Sequence, residues 1–212
     1  MEHPGSRDLM DFISPAQWEK IGIPYSDKLS WERWGLFGVL ADYVLRYIYG
    51  DIIEVGVCET SIYISFLAKK YNRKTYHNDI QPAVIENCQT VPGYFLPDAV
   101  LVKDSSDNFF KNTTFTSIAL AFIDGDHTYE QVKKDFENVM PLMVPNGHIF
   151  LHDTLPLSDE YLPPHKCGDV YRFRQELDGR KDLDVFTFNH SAWSVGLTMV
   201  RVKPIGEPHY RQ

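Results

Sequence analysis

Cysteine is scarce in this sequence, and basic residues are outnumbered by acidic ones. The 212 residues contain three cysteines, Cys58, Cys88 and Cys167, which form no CxxC pair. This odd, scattered set argues against a disulfide framework and a zinc site, and it predicts idle or buried thiols in a reducing, cytoplasmic environment. The net charge is −8, and no basic run is present. Nucleic acids and anionic membranes attract clustered Lys and Arg, so neither is expected as a partner.

Long apolar runs are also absent. Segments such as Ser117–Ile123 are far too short to span a bilayer, and the first residues lack the apolar core of a secretory signal. A chain of this length, with 43% hydrophobic residues, buries one sizeable core without disulfides or a structural metal. The sequence contains no internal repeat or linker, so we expect a single domain.

Short apolar segments alternate with helical patterns through the middle of the chain. This alternation predicts a parallel sheet that is built from right-handed crossovers and buried on both faces. The unbroken apolar run Ile118–Ile123 agrees, because a strand covered on both faces has no polar side. The predicted strands are Asp51–Val57, Lys74–Asp79, Ala99–Asp104, Ser117–Asp124 and Gly147–Asp153.

The C-terminal part follows another pattern. Residues 183–190 and 194–203 read as two strands with a very short link, and such strands must be antiparallel neighbours. Gly168–Leu177 is predicted as a helix before them, and Trp31–Tyr49 as one long helix near the start. The predicted fold class is therefore α/β, a Rossmann-like doubly wound sheet that is mostly parallel with an antiparallel C-terminal strand.

An acidic residue falls at or near the carboxyl end of every predicted parallel strand. In an open parallel sheet, ligands bind at this edge. Helix capping explains any single one of Asp79, Asp104 and Asp124 equally well, but five acids in five strands favour a shared ligand site. The five acids are Glu54, Asp79, Asp104, Asp124 and Asp153.

The turn after the first strand, EVGVCETS, occupies the position of a nucleotide-binding turn. It keeps one glycine, Gly56, which would let the backbone approach a ligand. Glu54 and Glu59 would repel a pyrophosphate, whereas Asp79 is well placed to accept hydrogen bonds from ribose hydroxyls. These features favour a nucleoside that carries an amino acid and a sulfonium over NAD.

With these motifs, the sequence resembles class I S-adenosylmethionine (SAM)-dependent methyltransferases, and more narrowly the branch of macrocin-type sugar O-methyltransferases and cephalosporin-hydroxylase-like proteins. The resemblance covers about Ile52 to Lys203 and implies seven strands, the last antiparallel to the rest. Its most specific part is the run IDGDHTYE…PLMVPNG…HDT. The other segments that carry it are IIEVGVCETS, YHNDIQP, VKDSS and the terminal hairpin.

The resemblance implies SAM as the cofactor and a divalent metal beside the transferred methyl group. In metal-dependent relatives, the positions of Asp124 and Asp153 hold one Mg²⁺ ion. Here His152 precedes Asp153, and imidazole favours Mn²⁺ or Fe²⁺ over Mg²⁺, which prefers oxygen ligands. The implied cofactor residues are Glu54, Gly56, Thr60 and Ser61 for methionine, Asp79 for ribose, Asp104 and Ser105 for adenine, and in addition Ile80 and Asp124.

The predicted reaction is methylation of a small hydroxylated acceptor such as a sugar. A hydroxyl is a poor nucleophile and needs a base or a metal. His127 is the predicted base, oriented by Asp126 or Glu130, and His152 is the reserve. For both histidines a purely structural role is the alternative. A non-catalytic protein that keeps the fold, and an NAD(P)-dependent reductase, are the alternative functions.

The predicted domain has three parts. Residues 1–50 form a helical segment on the acceptor side, residues 51–203 form the methyltransferase core, and residues 204–212 form a tail. The loop Leu155–Lys166 leaves the edge of the site, and loops of such length are often lids. We expect this loop and the aromatic-rich N-terminal segment to enclose the acceptor, although that segment suits a homo-oligomer interface equally well.

Overall fold

The computed structural model describes residues 27–189 and 195–204. The predictions for residues 1–26, for the link between the last two strands and for the tail beyond residue 204 lie outside this part.

Seven strands form one sheet in the order β3-β2-β1-β4-β5-β7-β6. Neighbours among β1 to β5 pair in parallel, whereas β7 runs antiparallel to both β5 and β6. The predicted Rossmann-like α/β fold is therefore confirmed. The strands are β1 (Asp51–Val55), β2 (Thr75–Asn78), β3 (Val100–Val102), β4 (Ile118–Ile123), β5 (Met143–His152), β6 (Leu183–Phe188) and β7 (Leu197–Val202).

Helices connect the parallel strands and cover both faces of the sheet. Pro82 opens α3, where its missing N–H costs nothing, and the Thr128 hydroxyl caps α5 by accepting from the N–H of Gln131. The helices are α1 (Asp27–Tyr47), α2 (Thr60–Tyr71), α3 (Pro82–Gln89), α4 (Ser106–Asn112), α5 (Tyr129–Val139) and α6 (Val170–Leu177), with 3₁₀ turns at Met140–Leu142 and Asp159–Tyr161.

Two boundaries differ from the sequence prediction. Helix α1 begins at Asp27 rather than at Trp31. Strand β5 begins at Met143 rather than at Gly147. Residues 144–147, VPNG, which the sequence analysis predicts as a turn before the strand, form an irregular part of the strand itself. Asn146 has a φ of 63°, and the pairing of β4 with β5 shifts register in this region.

The core consists of two layers, one on each face of the sheet. On one face, Phe37 of α1 packs against Phe122 and Phe150. On the other face, Phe136 of α5 packs against Phe173 of α6. The side chains of β4 are buried along its whole length, as the unbroken apolar run predicted. Both faces are thus covered, which leaves the carboxyl edge of the parallel strands for ligands.

Among the helices of residues 27–189 and 195–204, none combines enough length with enough apolar character to cross a bilayer.

Candidate active site

A cavity of about 830 Å³ opens at the carboxyl edge of the parallel strands. The loops that follow β1 to β5 all contribute to its wall, as expected if the acids at the strand ends share one site. The predicted site residues that line it are Gly56, Asp79, Ile80, Ser105, Asp124, His127, His152 and Asp153.

Asp79 is held in a fixed orientation in this wall. Its carboxylate accepts hydrogen bonds from the backbone N–H of Val57 at 3.0 Å and from that of Gln81 at 2.7 Å. Gly56, in the same turn, has a φ of 86°, and a Cβ atom there would lie 2.0 Å from the carbonyl oxygen of Asp124. The single glycine of the turn is therefore required for the close approach of two loops, whatever it does for a ligand.

Glu54, Thr60 and Ser61 lie behind the wall instead of in it. The carboxylate of Glu54 is fully buried and accepts hydrogen bonds from the hydroxyls of Thr60 and Ser61, at 2.7 and 2.6 Å. It also lies 2.6 Å from Nδ1 of the buried His77. These contacts tie the first turn of α2 to β1 and β2. Their contact with the cofactor stays a prediction, since in this structure the hydroxyls turn inward to satisfy a buried acid.

Asp104 also lies outside the cavity lining. Its Oδ1 accepts hydrogen bonds from Asn108 Nδ2 at 2.9 Å and from the N–H of Ser105 at 2.7 Å. These two contacts lower the pKa of Asp104. Asp104 thus finds its partners within its own loop and the first turn of α4, and its contact with adenine stays a prediction. Ser105, the N-cap of α4, keeps its predicted place in the wall.

Four side chains, from the end of β5 and from the loops after β4 and β5, meet at one end of the cavity. Nδ1 of His152 lies 3.2 Å from Asp124 Oδ1 and 3.4 Å from Asp153 Oδ1. Nε2 of His127 lies 3.2 Å from Asp153 Oδ2 and 3.5 Å from Asp124 Oδ1. We call these residues, Asp124, His127, His152 and Asp153, the acid–histidine cluster.

The charges of this cluster shift its titration strongly. Burial lowers the pKa of His152, but the carboxylates of Asp124 and Asp153 outweigh burial and raise it to about 10. The pKa of Asp124 is lowered, since the two histidines outweigh the opposite effect of its burial. The pKa of His127 is raised against the effect of burial, again by Asp124 and Asp153. The two carboxylates thus attract positive charge, which protons supply when no other cation is present.

The loop after β5 closes one side of the cluster. Asp153 has a φ of 58°, a backbone conformation that is strained for a residue with a side chain and recurs at functional sites. Nδ1 of His127 contacts the carbonyl oxygen of Lys166, and the N–H of Asp169 donates to the carbonyl oxygen of His127 at 2.8 Å. The cavity lining includes Tyr161, His165, Lys166 and Cys167 from this segment.

Two of the three cysteines also contact the cluster, which the sequence analysis missed. Cys58 Sγ donates to Asp124 Oδ2, and Cys167 Sγ to Asp153 Oδ1, both at 3.6 Å. Burial and the neighbouring carboxylates raise the pKa of both thiols, that of Cys167 to about 12. The thiols therefore remain protonated donors. Their spacing in the sequence gave no signal, since only the fold brings them to the two acids.

Asp135, on the inner face of α5, is a second residue that the sequence analysis missed. Its side chain is 1% exposed and lines the cavity. Burial raises its pKa to about 6, helped by the charges of Asp107 and Asp126 and opposed by the Ser106 and Gln131 side chains. The sequence did contain a signal for this residue, because Asp135 is an acid on the face of α5 that is otherwise apolar.

The raised pKa of Asp135 predicts a measurable pH dependence of stability. In the folded protein Asp135 binds its proton more tightly than in the unfolded chain, so stability falls as pH rises through about 6. Between pH 5 and pH 8 the loss is on the order of 1 kcal/mol. Asp135→Asn should lack this component, which urea unfolding of both proteins at the two pH values measures. Equal pH dependence of the two proteins would contradict the assignment.

The central part of the chain matches a known family model. Residues 53–154 match the model described as a methyltransferase domain. This segment begins in β1, ends just after β5 and contains the whole acid–histidine cluster. In sequence over this segment, and in fold over nearly its whole length, the chain is similar to SAM-dependent methyltransferases. No curated protein sequence matches the chain at a significant level.

Solved methyltransferases share this fold over nearly the whole chain. PaMTH1 from Podospora anserina, bound to S-adenosylhomocysteine (SAH), has a TM-score of 0.68 at 14% identity and covers 94% of each chain. The O-methyltransferase TomG from Streptomyces achromogenes, in complex with SAM, has 0.65 at 14%, over 96% of this chain and 92% of that one. A Bacillus cereus O-methyltransferase in complex with SAH has 0.62 at 14%, with the same coverage of 96% and 92%. At such identities the likeness establishes the fold.

Proposed function

We propose that the protein transfers the methyl group of SAM to a hydroxyl of a small acceptor, such as a sugar. The observation that carries this proposal is the acid–histidine cluster at one end of a cavity whose opposite wall contains Asp79 and Ser105. One end of the cavity is suited to a nucleoside, and the other can deprotonate a hydroxyl. The O-methyltransferases among the solved structures support the same reaction class.

Along the edge of the sheet, the cavity residues follow one another in the same order as the parts of the cofactor that they would bind. When bound, SAM supplies an activated methyl group on a positively charged sulfur. Asp79 follows β2, and its carboxylate retains acceptor capacity for ribose hydroxyls beyond its two backbone contacts. The loop at Gly56 lies between Asp79 and the cluster, beside Asp124, where the methionine portion would lie.

The cluster also fits a divalent metal ion. One ligand atom each from Asp124, His152 and Asp153 lie within 4.8 Å of one another. Two carboxylates and an imidazole are a donor set that Mn²⁺ or Fe²⁺ accepts more readily than Mg²⁺ does. A metal ion held by these three residues would lower the pKa of an acceptor hydroxyl that coordinates it.

His127 is placed to accept the proton of the acceptor. Nδ1 of His127 contacts the carbonyl oxygen of Lys166, which can only accept a hydrogen bond. In the neutral imidazole the N–H therefore lies on Nδ1. Nε2, which faces the cluster, then carries the lone pair. The loop that fixes His127 also places Tyr161 and His165 in the cavity wall. Their polar groups can hold the hydroxyls of an acceptor in line with the methyl group, which favours a small hydroxylated molecule.

The placement of Asp79 and Asp104 gives a direct test of the cofactor site. Asp79→Asn should weaken SAH binding about 10- to 100-fold, because each hydrogen bond to a charged acceptor contributes about 1.5–3 kcal/mol. Asp104→Asn is the matched control at the next strand and should bind SAH like the wild type. Isothermal titration calorimetry measures both affinities.

The same titrations include the outcomes that contradict the proposal. No SAH binding by the wild type would remove the cofactor assignment, and equal losses in the two variants would remove the place given to Asp79. Tight SAH binding without methyl transfer to any compound in a broad screen of hydroxylated acceptors would favour a non-catalytic protein with this fold.

A further inference from the structure

Asp135 holds a buried carboxylate oxygen that no group in the described residues satisfies. Its Oδ1 accepts a hydrogen bond from Gln131 Nε2 at 3.0 Å, whereas Oδ2 is buried without a hydrogen-bond partner. The residue is 1% exposed and lines the cavity. Buried acceptors almost always have a partner, because the lost hydration is otherwise uncompensated. An oxygen of this kind in a cavity wall indicates a ligand that donates a hydrogen bond.

The surroundings of Asp135 present acceptors to this part of the cavity. Gln131 Nε2 also donates to the hydroxyl of Ser106 at 3.0 Å, so both protons of its amide are used within the wall. Oδ1 of Asp107 is a second buried carboxylate oxygen for which the described part of the chain supplies no hydrogen-bond partner, while Oδ2 of Asp107 pairs with Lys134 Nζ. Two such acceptors in one cavity wall suit a ligand that carries N–H donors, such as an amino group.

The order of the strands indicates which part of the cofactor reaches this wall. Asp79 follows β2, which lies between β1 and β3. With the ribose at Asp79 and the sulfur toward the acid–histidine cluster beyond β1, the base must extend toward β3 and the start of α4. Ser106 and Asp107 form that start, and Gln131 links it to Asp135 on α5. This step rests on the proposed function.

We propose that Asp135 recognises the 6-amino group of the adenine ring by accepting one of its N–H protons on Oδ2. Helix α5 then contributes to base specificity, in addition to the loop after β3. A base with an oxygen at this position would place its own acceptor against the carboxylate and would leave Oδ2 unsatisfied. Sites built around a buried polar group reject analogues that cannot pair with it.

The test compares SAH with S-inosylhomocysteine, in which an oxygen replaces the 6-amino group. Calorimetry at pH 8 should show that the wild type prefers SAH by about 100-fold. In Asp135→Asn the side-chain amide can donate to the 6-oxo group, so the preference should fall to about 10-fold or less. Glu137→Gln is the matched control: the same change two residues further along α5, at an exposed position. It should keep the wild-type preference.

The outcomes separate this inference from the proposed function. Tight SAH binding with an unchanged preference in Asp135→Asn would overturn the role of Asp135 and leave the methyltransferase assignment intact. Absence of SAH binding to the folded wild type would overturn both. If Asp135→Asn does not fold by circular dichroism, Asp135→Ser removes the same carboxylate with a smaller side chain. A wild-type preference in that variant would equally overturn the inference.

Discussion

Protein stripped of metal should bind one Mn²⁺ ion per chain, and Asp124→Asn should weaken this binding by at least about 100-fold. Asp124 and Asp153 supply the negative charge of the cluster, and Asp124 faces both histidines. An amide at this position keeps the shape of the side chain but loses the charge and one strong ligand oxygen. Because an imidazole completes the donor set, Mn²⁺ should bind more tightly than Mg²⁺.

The control for this prediction is Asp126→Asn. Asp126 lies two residues further along the same loop and lines the cavity, but its carboxylate accepts from the N–H of Thr128 outside the cluster. Electron paramagnetic resonance of free Mn²⁺ measures the affinities of all three proteins. Equal binding by wild type and Asp124→Asn would show that the cluster is not a metal site. Binding lost equally in both variants would mean that the loop, and not the ligand set, was disturbed.

The part of the fold that the sequence could predict is the part that depends on local pattern. The run Ile118–Ile123 is buried at every position, and this required only that both faces of β4 be covered. Asp124 and Asp153 meet for the same reason, since carboxyl ends of adjacent parallel strands share one edge. Three of the five acids at strand ends, Asp79, Asp124 and Asp153, therefore line one cavity at this edge.

The same reasoning from the sequence could not predict in which direction a side chain points at a strand end. Glu54 lies within β1, two residues before the turn at Gly56, and points into a buried network with His77. Asp104 stays outside the cavity because Asn108, one turn along α4, offers its carboxylate a local partner. Both outcomes depend on which neighbour supplies the better hydrogen bond. That information resides in tertiary contacts and not in the spacing of acids.

Residues from distant parts of the chain were missed for a related reason. Cys167 reaches Asp153 only because the loop after β5 folds back onto the segment around His127. Trp34 of α1, whose ring lies 4.7 Å from that of His152, reaches the cluster from the opposite side. Long-range packing of this kind produces no periodic pattern in the sequence. The cluster is consequently more enclosed, and its charges interact more strongly, than five acids on an open rim would suggest.

Replacing the two histidines of the cluster one at a time should have different effects, because we assign them different roles. Mn²⁺ binding should be lost in His152→Gln, whose imidazole is within the ligand set, and retained in His127→Gln. His127→Gln should instead lower kcat about 10²- to 10⁴-fold with little change in the KM for SAM, because a general base acts in the transition state. His148→Gln, in β5 but outside the cavity lining, is the control that should change neither quantity.

The dependence of the rate on pH tests the role of His127 as the base. The pKa of His127 is raised above its usual 6.5 by Asp124 and Asp153, so the imidazole loses its proton only at higher pH. With no metal ion in the cluster, the wild-type rate with an acceptor from the screen should therefore increase with pH through a value above 6.5, and His127→Gln should lack that increase. A similar increase in the variant would assign proton removal to another group. With a pKa of about 10, metal-free His152 keeps its proton at neutral pH, which suits a cation partner of the carboxylates better than a base.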